Sequence, residues 1–185
     1  MNIGQPERAT QNRVIALFRD ELGYRYLGDW TDRDGNSNIE EKLLTAYLVK
    51  TGYNPAQIGK AIYDLRTEAN HHSRGLYGNN KEVYKLLRYG VPVKIAAGKN
   101  TETFKLINWA EPDKNDFAIA EEVTLNGNHE RRPDLVLYVN GIAVGVVPTE
   151  EQPHLNRRWH SPKRFEPAAG IQRALLQHRA VYLRR

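Results

Sequence analysis

An α+β fold, with helices packed on a mostly antiparallel sheet to form an α/β sandwich, is the class that this 185-residue sequence predicts. Three observations predict it. Apolar residues recur at helical spacing through the first half. After Val91 the texture changes to short runs of β-branched and aromatic residues. The last two of these runs are joined by Asn140-Gly141, the strongest short hairpin signal a sequence carries.

The elements follow in order. Val14, Leu17, Phe18 and Leu22 share a helical face and Gly23 supplies a stop, so the spacing predicts a first helix over about residues 7–22. Tyr24 to Trp30 reads as a short aromatic strand, closed by the polar turn Asp32-Arg33-Asp34-Gly35-Asn36-Ser37. Asn38 is placed to cap a second helix whose apolar face carries Leu43, Leu44, Tyr47 and Leu48. Asn54 before Pro55 is a cap followed by proline at the first helical position, opening a third helix through Ile58, Ile62 and Leu65. A polar gap, His71 to Gly75, precedes a short fourth helix through Val83, Leu86 and Leu87. Five strands are then expected: Val91–Ala97, Thr103–Trp109, Asp116–Leu125, Asp134–Asn140 and Ile142–Val147.

A chain of this length with 40% hydrophobic residues can bury one sizeable core. No apolar run reaches membrane-spanning length and the N-terminus lacks a signal-peptide pattern, so a soluble, cytoplasmic protein is expected. Zero cysteines exclude disulfides and Cys-ligated zinc. The net charge of +5 is localised: residues 1–148 hold 19 Lys+Arg against 19 Asp+Glu, whereas residues 149–185 hold 8 against 3. Composition thus changes where the strand pattern stops, at Pro148.

Two motifs are set aside. Gly52 to Lys60, GYNPAQIGK, has six residues between its glycines, has Ala61 where a phosphate-binding loop needs a hydroxyl, and places Gly59-Lys60 inside the third helix. Adjacent His71 and His72 lie in a polar loop, where histidines are more often solvated than metal-bound. The run Arg131-Arg132-Pro133-Asp134 followed by LVLYVNGIAVGVV is more specific. A carboxylate opening a hydrophobic strand, then a hairpin and a second strand, is how PD-(D/E)xK nucleases set a metal-binding Asp near a Glu and a Lys.

That run closely resembles the R (restriction) subunits of type I restriction-modification enzymes. The preceding chain, from GQPERATQNRVIALFRDELGYRYLGDW to NNKEVYKLLRYGVPV, is similar to the same subunits, so the resemblance covers about residues 1–147. It implies a magnesium-dependent DNA nuclease domain that works with methyltransferase (modification and specificity) subunits. It also implies an ATP-driven motor further along the chain, with no ATP site within these residues. Asp134 and a Glu would hold Mg²⁺ and a Lys would stabilise charge on the phosphate. Glu7 on the first helix is a candidate for a further acidic ligand, and Arg131 and Arg132 are candidates for phosphate contacts.

The departure from the family pattern falls on the site itself. Counting along the hairpin, Pro148 occupies the expected Glu position and Glu150 the expected Lys position. One permitted set of codons for Thr149 to Lys163, regrouped in a shifted frame, reads LKNSRISIGDGIRQ, which resembles the family's continuation: Leu-Lys, then an amphipathic helix. The expectation is therefore a nuclease-like domain over residues 1–147 and an out-of-frame basic tail over residues 148–185, with no catalytic activity in the chain as written. The rival readings are a non-catalytic module binding DNA or a methyltransferase, and a gene fragment without selected function.

Overall fold

The computed structural model describes residues 4–94, 101–124 and 132–149, apart from the side chains of residues 4–7. Among these the α+β class is realised by four α-helices, a four-stranded mixed sheet and a separate two-stranded sheet. The chain divides into two compact units, one built from residues up to Asn38 together with those from Asp116 onward, the other from Ile39–Asn115.

The first unit opens with helix α1 (Gly4–Ala16), continued by a π-helical turn over Leu17–Glu21. Strand β1 (Arg25–Asp29) follows, and the unit resumes with β4 (Phe117–Glu121), β5 (Leu135–Val139) and β6 (Ile142–Val147). The strand order is β1-β4-β5-β6. β4, β5 and β6 form the antiparallel meander expected, but β1 joins β4 in parallel. A parallel pair requires a long crossover, and the chain of the second unit separates these two strands in sequence.

All five residues of β4 and all five of β5 are buried, so both faces of the sheet's centre are covered. On one face Trp30, Ala118, Ala120, Val123, Val136 and Tyr138 form a cluster. The other face bears Phe117, Ile119 and Glu121. It meets Tyr24, whose ring packs on Phe117 and edge-on against Phe18, and it meets Gln11 of α1. The helix face differs from the one expected. Leu17 is 42% exposed, whereas Gln11 and Ile15 are buried, so the inward stripe runs through Gln11 and Ile15, and Leu17 lies off it.

In the second unit, α2 (Glu41–Lys50), α3 (Pro55–Ala69) and α4 (Gly75–Tyr89) accompany an antiparallel pair, β2 (Val91–Lys94) and β3 (Thr101–Phe104). Asn54 caps α3 as expected: its side chain accepts the Gln57 N–H, and Gln57 returns the bond to the Asn54 N–H. Asn38 does not cap α2. The helix starts three residues later, and the Asn38 carbonyl instead accepts the Ala143 N–H, in the first unit. β3 ends at Phe104, well short of Trp109, and Leu106 and Ile107, both buried, follow it outside the strand. α4 is a 15-residue helix rather than a short one. It ends at Gly90, where φ is +94° and a Cβ would lie 2.6 Å from the Phe104 carbonyl oxygen. No described helix is long and apolar enough to cross a membrane.

Candidate functional site

The Asn140-Gly141 turn sets the register of the β5–β6 hairpin. Both residues take positive φ, 53° and 82°, as a type I′ turn requires. Asn140 is fully buried; its Oδ1 accepts the Asp116 N–H at 2.7 Å and its own N–H donates to the Asp116 carbonyl at 2.8 Å. From that turn the ladder runs to Leu135 opposite Val147, with one irregularity between Leu137 and Tyr138. The residues just beyond the ladder, Asp134 and Pro148, are thereby brought to the same open end of the hairpin.

Thr149 makes the contact explicit. Its N–H donates to Asp134 Oδ2 at 2.6 Å and its hydroxyl to the same oxygen at 3.0 Å. The Asp134 carbonyl accepts the Glu122 N–H at 2.9 Å and the Gln11 side-chain amide at 3.4 Å. Asp134 thus stands where β4, β5, β6 and α1 converge. Pro148 brings neither a carboxylate nor an N–H to this place, and Thr149 brings only neutral donors.

A second acidic group, not singled out from the sequence, lies at the same end of the sheet. Glu121 ends β4 opposite Leu135 and is 3% exposed. Its carboxylate accepts Arg8 Nη1 at 2.8 Å and Gln11 Nε2 at 3.1 Å, and it takes the Tyr26 hydroxyl as a third donor. A carboxylate withdrawn from water survives when its lone pairs are met in this way. Burial, reinforced by the Glu121 carboxylate, pushes the Tyr26 phenol up to about 12. Glu122, half-buried, accepts Gln11 Nε2 at 3.1 Å and pairs with Arg132 Nε at 3.0 Å. Across the sheet Asp29 is held below the usual carboxylate range by the hydroxyl and N–H of Thr31. The legible signal was FAIAEE: a glutamate closing a wholly apolar run, in phase with Phe117 and Ile119, has to be buried on their face.

The other candidates fall as follows. Arg132 is exposed and its guanidinium goes to Glu122, so it is engaged with this acidic edge. Arg131, Glu150 and the Glu7 side chain lie outside the described residues, as does the chain from residue 150 to 185. Glu7 is on the first turns of α1, the helix whose next residues, Arg8 and Gln11, reach Glu121. His71 is half-buried, with its Nδ1 3.1 Å from Ser73 Oγ. Gly59 and Lys60 lie within α3, where Lys60 pairs with Asp64 at 2.6 Å. Among the described residues no three His, Asp or Glu side chains are grouped so as to hold a metal ion.

Comparison with known proteins gives a family match over residues 4–147, to the type I restriction enzyme R protein N terminus. The match ends on the last residue of β6. Two proteins of Methanocaldococcus jannaschii are also similar, each provisionally named an endonuclease subunit of a type I restriction enzyme. One, MjaVIIP, is 37% identical over 62 residues, covering 33% of this chain and 6% of the relative. The other, MjaIXP, is 23% identical over 150 residues, covering 74% of this chain and 14% of the relative. The chain therefore spans only a small part of the length of the relatives it matches.

Proposed function

From the premise that the chain belongs to the family of type I restriction enzyme R protein N termini, we propose that residues 1–147 are the nuclease-like domain of such a subunit and that the chain as written does not cleave DNA. DNA and the methyltransferase subunits of a restriction complex, in a cytoplasmic setting, are the partners this reading assigns. The observation that carries the loss of activity is the Asp134–Thr149 contact: among the described residues, the open end of the β5–β6 hairpin offers Asp134 a proline and a threonine, with no carboxylate or ammonium from β6.

In this reading the family's chemistry is hydrolysis of a phosphodiester with Mg²⁺, which would polarise the phosphate and activate water. The residues present do not fit that ion. Asp134 Oδ2 is taken by two donors from Thr149, and Glu121 is enclosed by Arg8, Gln11 and Tyr26. Among the described residues no three carboxylate or imidazole groups come together around Asp134 to complete a set for a metal that prefers octahedral oxygen ligands. No hydrolytic step is therefore assigned to this chain.

The tail from residue 148 is read as an out-of-frame translation. The family match ends at Val147, charge becomes basic from there, and the shifted codons supply a Lys and an amphipathic helix. The nucleotide sequence across codons 145–150 tests this directly: codons incompatible with LKNSRISIGDGIRQ in the shifted frame end it. For activity, supercoiled plasmid incubated with the chain and Mg²⁺ is expected to remain intact. Mg²⁺-dependent nicking that disappears in Asp134→Ala would overturn the reading.

A further inference from the structure

Within the second unit, a cavity of about 560 Å³ opens between the end of α2, the end of α4 and the segment after β3. That volume lies inside the range of about 300–1,000 Å³ typical of small-ligand sites. Its walls include Tyr53, Tyr89 and Trp109, and its charged members are Arg88 and Lys105; no Asp or Glu lines it. None of these five belongs to the Asp134 site.

The walls are held in place. Trp109 Nε1 donates to the Leu87 carbonyl at 2.8 Å, which fixes the indole, and the Arg88 guanidinium sits 5.2 Å from its ring centroid. The Tyr53 ring packs on Phe104 with centroids 4.2 Å apart, and its hydroxyl accepts the Lys105 N–H at 3.1 Å. Lys105 Nζ donates to the Tyr89 carbonyl at 2.9 Å, and Gly90 keeps the end of α4 against β3. Tyr89 itself is 68% exposed, an aromatic ring presented to solvent at the rim. Among the described residues neither Arg88 nor Lys105 forms an ion pair with a carboxylate. The nearby acids are spent elsewhere, Glu111 on Lys114 and Glu102 on Gln57.

Preset aromatic faces, two cations without acidic partners and an absence of carboxylates suit one kind of ligand: a flat, π-rich ring joined to an anionic group. We propose that this cavity binds a nucleotide, with the base against the Tyr89 and Trp109 rings and the phosphate at Arg88 and Lys105. A paired base in a duplex cannot present its face to such a wall, so the nucleotide comes either from an unpaired DNA strand or from free mononucleotide. This inference rests on the cavity alone and stands whether or not the Asp134 site has lost its chemistry.

The test uses the full chain and DNA oligonucleotides carrying the fluorescent base 2-aminopurine, whose emission is quenched by stacking. Single-stranded DNA with the probe at its end is expected to be quenched on titration with the protein, and the same probe paired inside a blunt duplex is not. Arg88→Glu and Tyr89→Ala should each weaken the quenching titration by about tenfold, and Lys105→Gln by a smaller factor. All three side chains are exposed, so thermal midpoints are expected to stay within about 2 °C of the parent. Because every variant retains the basic tail, attraction to that tail cancels in the comparison. Competition by free mononucleotide at equal concentration would identify the free nucleotide as the source, and its absence the strand; either supports the cavity. Absence of quenching, equal quenching in the duplex, or titrations unchanged in both Arg88→Glu and Tyr89→Ala would overturn it.

Discussion

The two ends of the β5–β6 hairpin are built from the same two strands and differ in what holds them. At the turn end Asn140 and Gly141 adopt the positive φ angles that the tightest hairpin needs, and the buried Asn140 is bonded through both its amide N–H and its side-chain oxygen to Asp116. At the open end Asp134 faces Pro148 and Thr149, both at least partly exposed, and what joins them is a pair of neutral hydrogen bonds to one carboxylate oxygen. The turn end serves folding and every requirement of folding is met. The open end holds Asp134, and the family match stops there, at Val147. The register of these strands therefore does not depend on which side chains stand at the open end, because it is set by the turn and by the buried ladder.

The largest effect that would sharpen this contrast is catalytic. A chain carried on in the shifted frame, with Glu at position 148 and Lys at position 150, is expected to gain Mg²⁺-dependent cleavage by several orders of magnitude over the chain as written. That activity should vanish in Asp134→Ala. Plasmid nicking assayed with the motor and methyltransferase subunits present is the measurement, and equal inactivity of both chains would break the comparison.

Next in size is stability at the turn end. Asn140→Ala leaves the half-buried Asp116 N–H without its acceptor and removes the side chain best suited to positive φ. We expect a loss of about 2–3 kcal/mol in urea unfolding. Thr149→Ala at the open end removes one hydroxyl donor at a partly exposed site and is expected to cost under about 1 kcal/mol. Comparable losses at the two ends would remove the distinction.

The third test concerns pH, through the carboxylate at the foot of the same sheet. The Tyr26 phenol, raised to about 12 by burial and by Glu121, favours the neutral form in the folded chain. Its contribution to stability is complete below the unfolded phenol value near 10 and is lost as pH rises through about 12. Stability relative to Tyr26→Phe should thus fall over that window and be level below it, read from urea midpoints at a series of alkaline pH values. The smallest expected effect is Arg132→Ala. It removes an exposed pair with Glu122 and should change stability by under about 0.5 kcal/mol while leaving the hairpin unaltered.

Much of this fold was legible without coordinates because its signals are local. Asn54-Pro55 places the start of α3, Asn140-Gly141 places a turn, and the apolar run from Ile142 to Val147 matches β6 residue for residue. Local signals misled where a neighbour decided the outcome. Asn38 looked like a helix cap, but the edge strand's Ala143 N–H claims its carbonyl. Leu106 and Ile107 looked like strand, but both are buried beyond the end of β3.

The candidate site divides in the same way. Asp134 could be read from the residues around it, since a carboxylate before a buried strand and a hairpin is a local pattern. The burial of Glu121 was legible in FAIAEE, but its partners were not, because Arg8, Gln11 and Tyr26 are remote in sequence and meet it only when β1 lies parallel to β4 beneath α1. The cavity of Tyr53, Tyr89 and Trp109 was equally hidden, for it is assembled from the ends of separate helices and a loop. By itself the sequence determined the helices and the hairpin, together with the place where the family pattern stops, because propensity, capping and register act over a few residues. Only the tertiary structure decided which donors meet the buried carboxylate and which aromatic faces stay open, because such contacts are a property of what the rest of the chain brings together.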